Sequence, residues 1–188
     1  MKQIVFFGDS LTAGYGLLKP GTESFPALLQ EKLQLAGLDY KVINAGISGD
    51  TSASGLQRIH EVFQYKMDIF VLELGANDLL KGLSAQATFA NLQQIINLVS
   101  NRFPAVKLML LGMQLPLWVP GERAAAFRHI YQRLAADNHM ALVPFFLEGV
   151  AGVKHLNLTD GIHPLAEGYQ IIAENVWPVL KELIENKY

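Results

Sequence analysis

The stretch IVFFGDSLTAGYG, residues 4–16, runs four apolar side chains straight into Gly8-Asp9-Ser10. An apolar run of that length without polar alternation fits a strand buried on both faces, as in a parallel sheet. Runs of the same kind recur at residues 41–45, 69–74, 106–112 and 141–145. Each is rich in Val, Ile, Leu or Phe. Between them the apolar residues fall at helical spacing, over 25–35, 52–65, 89–103, 124–138 and 165–187. In the third of these, Phe89, Leu92, Ile96 and Val99 form one stripe. Pro178 is expected to kink or break the last helix.

Strand and helix thus alternate without a repeat or a linker. This predicts one α/β domain over residues 1–188, a five-stranded parallel sheet with helices on both sides. In such sheets ligands bind beyond the carboxyl ends of the strands. Chemistry is therefore expected in the loops that start at Gly8, Ala45, Gly75, Gly112 and Leu147.

Composition narrows the classes. Of 188 residues 51% are apolar and 17% charged, with a net charge of -2. That balance is globular, and it lacks the basic face of a nucleic-acid binder. The chain has no cysteine, which excludes disulfides, thiolate metal sites and a cysteine nucleophile. No apolar stretch reaches membrane-spanning length, and the apolar run before Gly8 is too short for a signal peptide. The expected location is the periplasm or the exterior if a leader has been removed, and the cytoplasm otherwise.

Four loops carry candidate chemistry, and singly each has an ordinary reading. Asp9 and Ser10 fit a helix cap. The glycines of Asn44-Ala45-Gly46-Ile47-Ser48-Gly49-Asp50 fit a turn, or a close backbone approach to a ligand. In Leu74-Gly75-Ala76-Asn77-Asp78, the Asn77 amide is either a turn former or a neutral donor for an oxyanion. In Asp160-Gly161-Ile162-His163-Pro164, the spacing lets Asp160 meet one imidazole nitrogen and leave the other as a base. His60, with Gln64 where a zinc helix would need a second histidine, and His129, His139 and His155 have no evident partners, and no metal site is expected. Neither a complete phosphate loop nor a Gly-x-Ser-x-Gly motif is present.

Taken together the loops supply a complete set for acyl transfer. Ser10 attacks, His163 moves the proton and Asp160 orients His163. The N–H groups of Ser10 and Gly46 and the Asn77 side chain hold the oxyanion.

Those four blocks, GDSLTAG, NAGISGDTSASGL, GAND and DGIHP, resemble the GDSL-type esterases and lipases of the SGNH hydrolase superfamily. The match is nearest to the compact bacterial acyl-thioesterase, lysophospholipase and arylesterase group. The resemblance implies a flavodoxin-like three-layer α/β/α sandwich and the residue roles just given. It implies no cofactor and no metal. It implies a small-molecule ester or thioester substrate, with no nucleic-acid partner, and leaves the oligomeric state open. Substrate contacts are expected from Asp9, Leu79, Leu80, Leu115, Trp118 and Ile162, with burial in the core left open for the leucines of the Asn77 loop. The stretch Leu117-Trp118-Val119-Pro120-Gly121 departs from the Pro-x-Asn-Tyr-Gly-like pattern of similar enzymes, so specificity does not carry over through it. A carbohydrate acetylesterase of the same superfamily and a non-catalytic flavodoxin-like binding module stand as the alternatives.

Overall fold

The chain folds, in a computed structural model that describes residues 1–113 and 121–185, around one sheet of five parallel strands. These are β1 (Lys2–Gly8), β2 (Tyr40–Gly46), β3 (Ile69–Glu73), β4 (Lys107–Leu111) and β5 (Ala141–Val143). Their order is β2-β1-β3-β4-β5. The chain crosses from β1 to one edge, returns past β1 to β3 and then proceeds outward. The order therefore reverses between β1 and β3, the position beyond which ligands bind in open sheets of this kind.

Strands β1 and β3 are the centre of the core. Ile4, Val5, Phe6 and Phe7 are buried, as is every residue of β3. The edge strands differ from the expectation of burial on both faces. Strand β2 is only half-covered along its length, and β5 is covered fully only at Val143. An edge strand has one neighbour and lies where the helical layers thin out.

The helices are α1 (Ser10–Ala13), α2 (Pro20–Glu23), α3 (Phe25–Leu35), α4 (Ser52–Arg58), α5 (Ala76–Leu80), α6 (Ala85–Arg102), α7 (Glu122–Asp137) and α8 (Ala166–Glu185). A 3-10 segment, Ile59–Gln64, continues α4. Helix α3 packs on β2 and on α8, which crosses β4 and β5. On the other face α4, α6 and α7 pack side by side. Five parallel strands between two helical layers are the sandwich the sequence predicts.

The boundaries follow local chemistry. Thr51 and Ser54 close a reciprocal capping box at the start of α4. The Ser84 hydroxyl accepts the N–H of Ala87 to start α6. Of the kink or break expected at Pro178, the break does not occur: α8 continues through it to Glu185. The proline removes one backbone bond, and Ile172, Val176, Leu180 and Leu183 are buried on either side of it in the chain. No described helix is long and apolar enough to cross a membrane.

Candidate active site

At the carboxyl end of β1 the chain turns sharply into α1. The Asp9 carboxylate caps that helix, its Oδ1 accepting the N–H of Leu11 at 2.9 Å. Gly14 ends it in the left-handed region, at φ 81°. The cap is therefore Asp9, and Ser10 is released from capping. Its hydroxyl Oγ lies 2.9 Å from His163 Nε2. Its N–H, at the first position of the helix, meets no acceptor among the described residues.

His163 stands in a turn that Asp160 holds closed. Asp160 Oδ1 accepts the backbone N–H groups of Ile162 at 2.9 Å and His163 at 3.0 Å. Its Oδ2 lies 2.7 Å from His163 Nδ1. Gly161, at φ 70°, supplies the left-handed residue this turn needs. Behind it, the buried Asn157 amide donates to the carbonyls of Val150 and Val153 and fixes the approach to the turn. The bond from the His163 ring, followed by the two backbone N–H groups, holds the Asp160 carboxyl down at about 2. An ionised Asp160 keeps the proton on Nδ1 and leaves Nε2 as the lone pair facing Ser10 Oγ–H. The Tyr15 ring lies against the imidazole, centroid to centroid 4.5 Å.

Gly46, at the end of β2, backs onto α1. A Cβ there would come within 2.3 Å of Ala13 N, so only glycine allows the approach. Asn77 is on α5, just past β3. Asp78 beside it is fully buried and accepts from Ser52 N–H, the Ser52 hydroxyl and the Thr88 hydroxyl, which ties α4, α5 and α6 together behind Asn77.

The three expected oxyanion donors are thus neighbours in the fold but not equally free. The Gly46 N–H donates to Asn44 Oδ1 at 3.0 Å. Asn77 Nδ2 donates to Asp9 Oδ2 at 3.0 Å and to the Asp50 carbonyl at 2.9 Å, which uses both of its hydrogens.

Asp9 is corrected as a substrate contact. It is 0% exposed, and its two oxygens are engaged by Leu11 and Asn77, so it lies beneath the site and not in it. Leu79 is partly buried against the core, whereas Leu80 and Ile162 are exposed near Asn77 and His163. Leu115 and Trp118 lie outside the described residues. His60, His129, His139 and His155 are all exposed. Among the described residues no group of three or more His, Asp and Glu side chains could hold a metal ion.

Three contributors were not singled out from sequence. Arg58 pairs with Asp50, Nε to Oδ2 at 2.5 Å, and its Nη2 donates to the Gly8 carbonyl at 3.0 Å. Glu73 ends β3 in full burial and accepts from Asp9 N–H and the Thr12 hydroxyl. Tyr15 covers His163. Glu73 had a visible signal, a lone acid inside an apolar strand. The other two did not, because what ties them to the site, Gly8 for Arg58 and His163 for Tyr15, is distant in the chain.

Comparison with known proteins shows which family the chain resembles over most of its length. Residues 6–171 match the model of the GDSL-like Lipase/Acylhydrolase family. The chain is 42% identical over 182 residues to esterase TesA of Pseudomonas aeruginosa, covering 96% of this chain and 89% of that protein. It is 36% identical to thioesterase 1/protease 1/lysophospholipase L1 of Escherichia coli, covering 97% of this chain and 85% of that protein. A crystal structure of TesA superposes with a TM-score of 0.89 at 41% identity, over 97% of this chain and 99% of that one.

Proposed function

The chain belongs to the GDSL-like lipase/acylhydrolase family, and from that premise we propose that it hydrolyses carboxylic esters, acyl thioesters and lysophospholipids by acyl transfer through Ser10. One observation carries the assignment: Ser10 Oγ is 2.9 Å from His163 Nε2 while Nδ1 of the same ring is 2.7 Å from Asp160 Oδ2. Esters of the arylesterase type belong to the same substrate class. The extension to thioesters and lysophospholipids rests on the activities for which the similar Escherichia coli protein is named.

In this reading Ser10 Oγ bonds to the acyl carbon as its proton passes to His163 Nε2. The carbonyl oxygen becomes an oxyanion. The tetrahedral centre then expels the alcohol or thiol, which takes the proton from His163. Water repeats the sequence on the acyl-serine, giving the carboxylic acid and restoring Ser10.

The Ser10 N–H is the donor already open to the oxyanion. Asn77 joins it by exchanging one neutral acceptor, the Asp50 carbonyl, for the charged oxygen while keeping its bond to Asp9. Gly46 exchanges the Asn44 side chain in the same way. Both exchanges are favoured because an anion is the stronger acceptor. Leu79, Leu80 and Ile162 supply apolar contact for the acyl chain.

The test is Ser10→Ala with p-nitrophenyl butyrate. Turnover is expected to fall by ~10⁴-fold or more with the fold intact. An organophosphonate is expected to add its mass at Ser10 alone. Retained activity, or an adduct at another residue, removes Ser10 from the role.

A further inference from the structure

Beneath the nucleophile lie two carboxyl groups that the acyl-transfer steps do not use. Glu73 is 1% exposed and Asp9 is 0% exposed. Glu73 Oε2 accepts twice, from Asp9 N–H at 3.2 Å and from the Thr12 hydroxyl at 2.7 Å. Its other oxygen, Oε1, is buried and accepts no hydrogen bond. An ionised Glu73 would therefore bury a half-satisfied charge that forms no ion pair among the described residues. A neutral acid needs no acceptor bond at its second oxygen, because that oxygen carries a proton to give.

We propose that Glu73 is a neutral carboxylic acid that donates to the Asp9 carboxylate and, through Asp9, holds the Asn77 amide where it serves the oxyanion. It is a positioning residue for the reaction proposed above and rests on that reading.

The chain of contacts is continuous. Glu73 reaches the Asp9 side chain, and that contact favours the ionised form of Asp9 and the protonated form of Glu73. Asp9 Oδ2 then accepts from Asn77 Nδ2 at 3.0 Å. Burial raises both groups, Asp9 to about 6 and Glu73 well above its ordinary value, and the charge of Asp9 raises Glu73 further.

Space is reserved for the acid. A Cβ on Gly8 would lie 2.5 Å from Glu73 Oε2 and 2.2 Å from the Thr12 hydroxyl oxygen. The charge also matters. An oxyanion forming above two carboxylates would meet twice the repulsion that it meets above one. A proton on Glu73 leaves a single negative charge, and that charge is bound to Leu11 N–H and the Asn77 amide. The other ionisable groups whose charge bears on this pair are the phenols of Tyr131 and Tyr169, both neutral, and the imidazole of His163.

The experiment compares Glu73→Gln, Glu73→Leu, Asn77→Ala and the double variant Glu73→Leu/Asn77→Ala with the unaltered enzyme. Glutamine is neutral and can donate to Asp9, so it is expected to keep kcat within about three-fold. Leucine cannot donate, and kcat is expected to fall by about 10- to 100-fold with KM little changed. The double variant is expected to match Asn77→Ala, because both changes disable one donor. Equal losses in the glutamine and leucine variants, full multiplication in the double variant, or an undiminished leucine variant would each overturn the proposal. The infrared difference spectrum between the enzyme and Glu73→Gln tests it without the leucine variant. A protonated-acid carbonyl band at neutral pH is expected, and its absence overturns the proposal. Failure of the underlying reading would show separately, as activity retained in Ser10→Ala.

Discussion

Asp160 Oδ2 lies 2.7 Å from His163 Nδ1 while 39% of the Asp160 side chain stays open to water. The group is held low by hydrogen bonds and not by a buried charge. Its folded value of about 2 is below the ordinary 3.8, so its contribution to stability is present above 3.8 and is lost as pH falls toward 2. Solvent screening keeps that contribution small. A carboxyl ¹³C titration should show the low midpoint. In His163→Ala the midpoint should rise toward 3.8 and stop short of it, since the backbone N–H groups of residues 162 and 163 still donate. An unmoved midpoint would mean that the imidazole is not the cause.

The Tyr15 ring lies tilted against the His163 imidazole, 4.5 Å between centroids, and in the proposed reaction that imidazole becomes cationic at each acyl transfer. A ring over an exposed cation is worth about 0.5–1 kcal/mol, or roughly two- to five-fold in rate. Tyr15→Ala should lower kcat/KM by that amount, and Tyr15→Phe should not. A matching loss in the phenylalanine variant would point to the hydroxyl and away from the ring.

Gly46→Ala sets a methyl group against backbone, Ala13 N at 2.3 Å and the Thr12 carbonyl carbon at 2.8 Å. Neither atom can rotate away. The cost should be about 1–3 kcal/mol, read as a lower melting temperature. Because β2 and α1 are pushed apart, the N–H of residue 46 should also leave the site, and kcat should fall further than KM rises. A variant that keeps both its melting point and its kcat would show that the contact relaxes freely.

Arg58 and Asp50 form an ion pair with side chains only 10% and 9% exposed. Arg58→Met leaves the Asp50 carboxylate buried without its cation. Breaking one partner of such a pair costs about 3–5 kcal/mol, or roughly 6–20 °C in melting temperature. The double variant Arg58→Met/Asp50→Asn should recover part of the loss. Activity should fall with stability, because the Asp50 carbonyl braces Asn77 and the guanidinium braces the carbonyl of Gly8. Equal melting points for the single and double variants would leave the pair without energetic weight.

The core strands and the meeting of Asp160 with His163 were legible in sequence because their signals are local. Phe6 and Phe7 announce a buried strand by themselves, and three residues of spacing brings Asp160 to its imidazole. Asp9 was misjudged for the opposite reason. Its burial is decided by Glu73 and Asn77, more than sixty residues away, and no nearby pattern reports it. Pro178 does not end α8, because buried residues on either side of it pack the helix on the sheet. The expectation of uniformly buried strands failed at β2 because edge position belongs to the order of the sheet, which no single strand encodes.

The contact between Ser10 and His163 joins residues 153 positions apart. A ribosome therefore releases the serine long before it makes the imidazole. Until then the growing chain carries an ordinary alcohol at residue 10. On the proposed mechanism, hydrolysis through Ser10 begins only once the turn at Asp160 has been made and has docked, so a product that stops before residue 163 would leave Ser10 without its base.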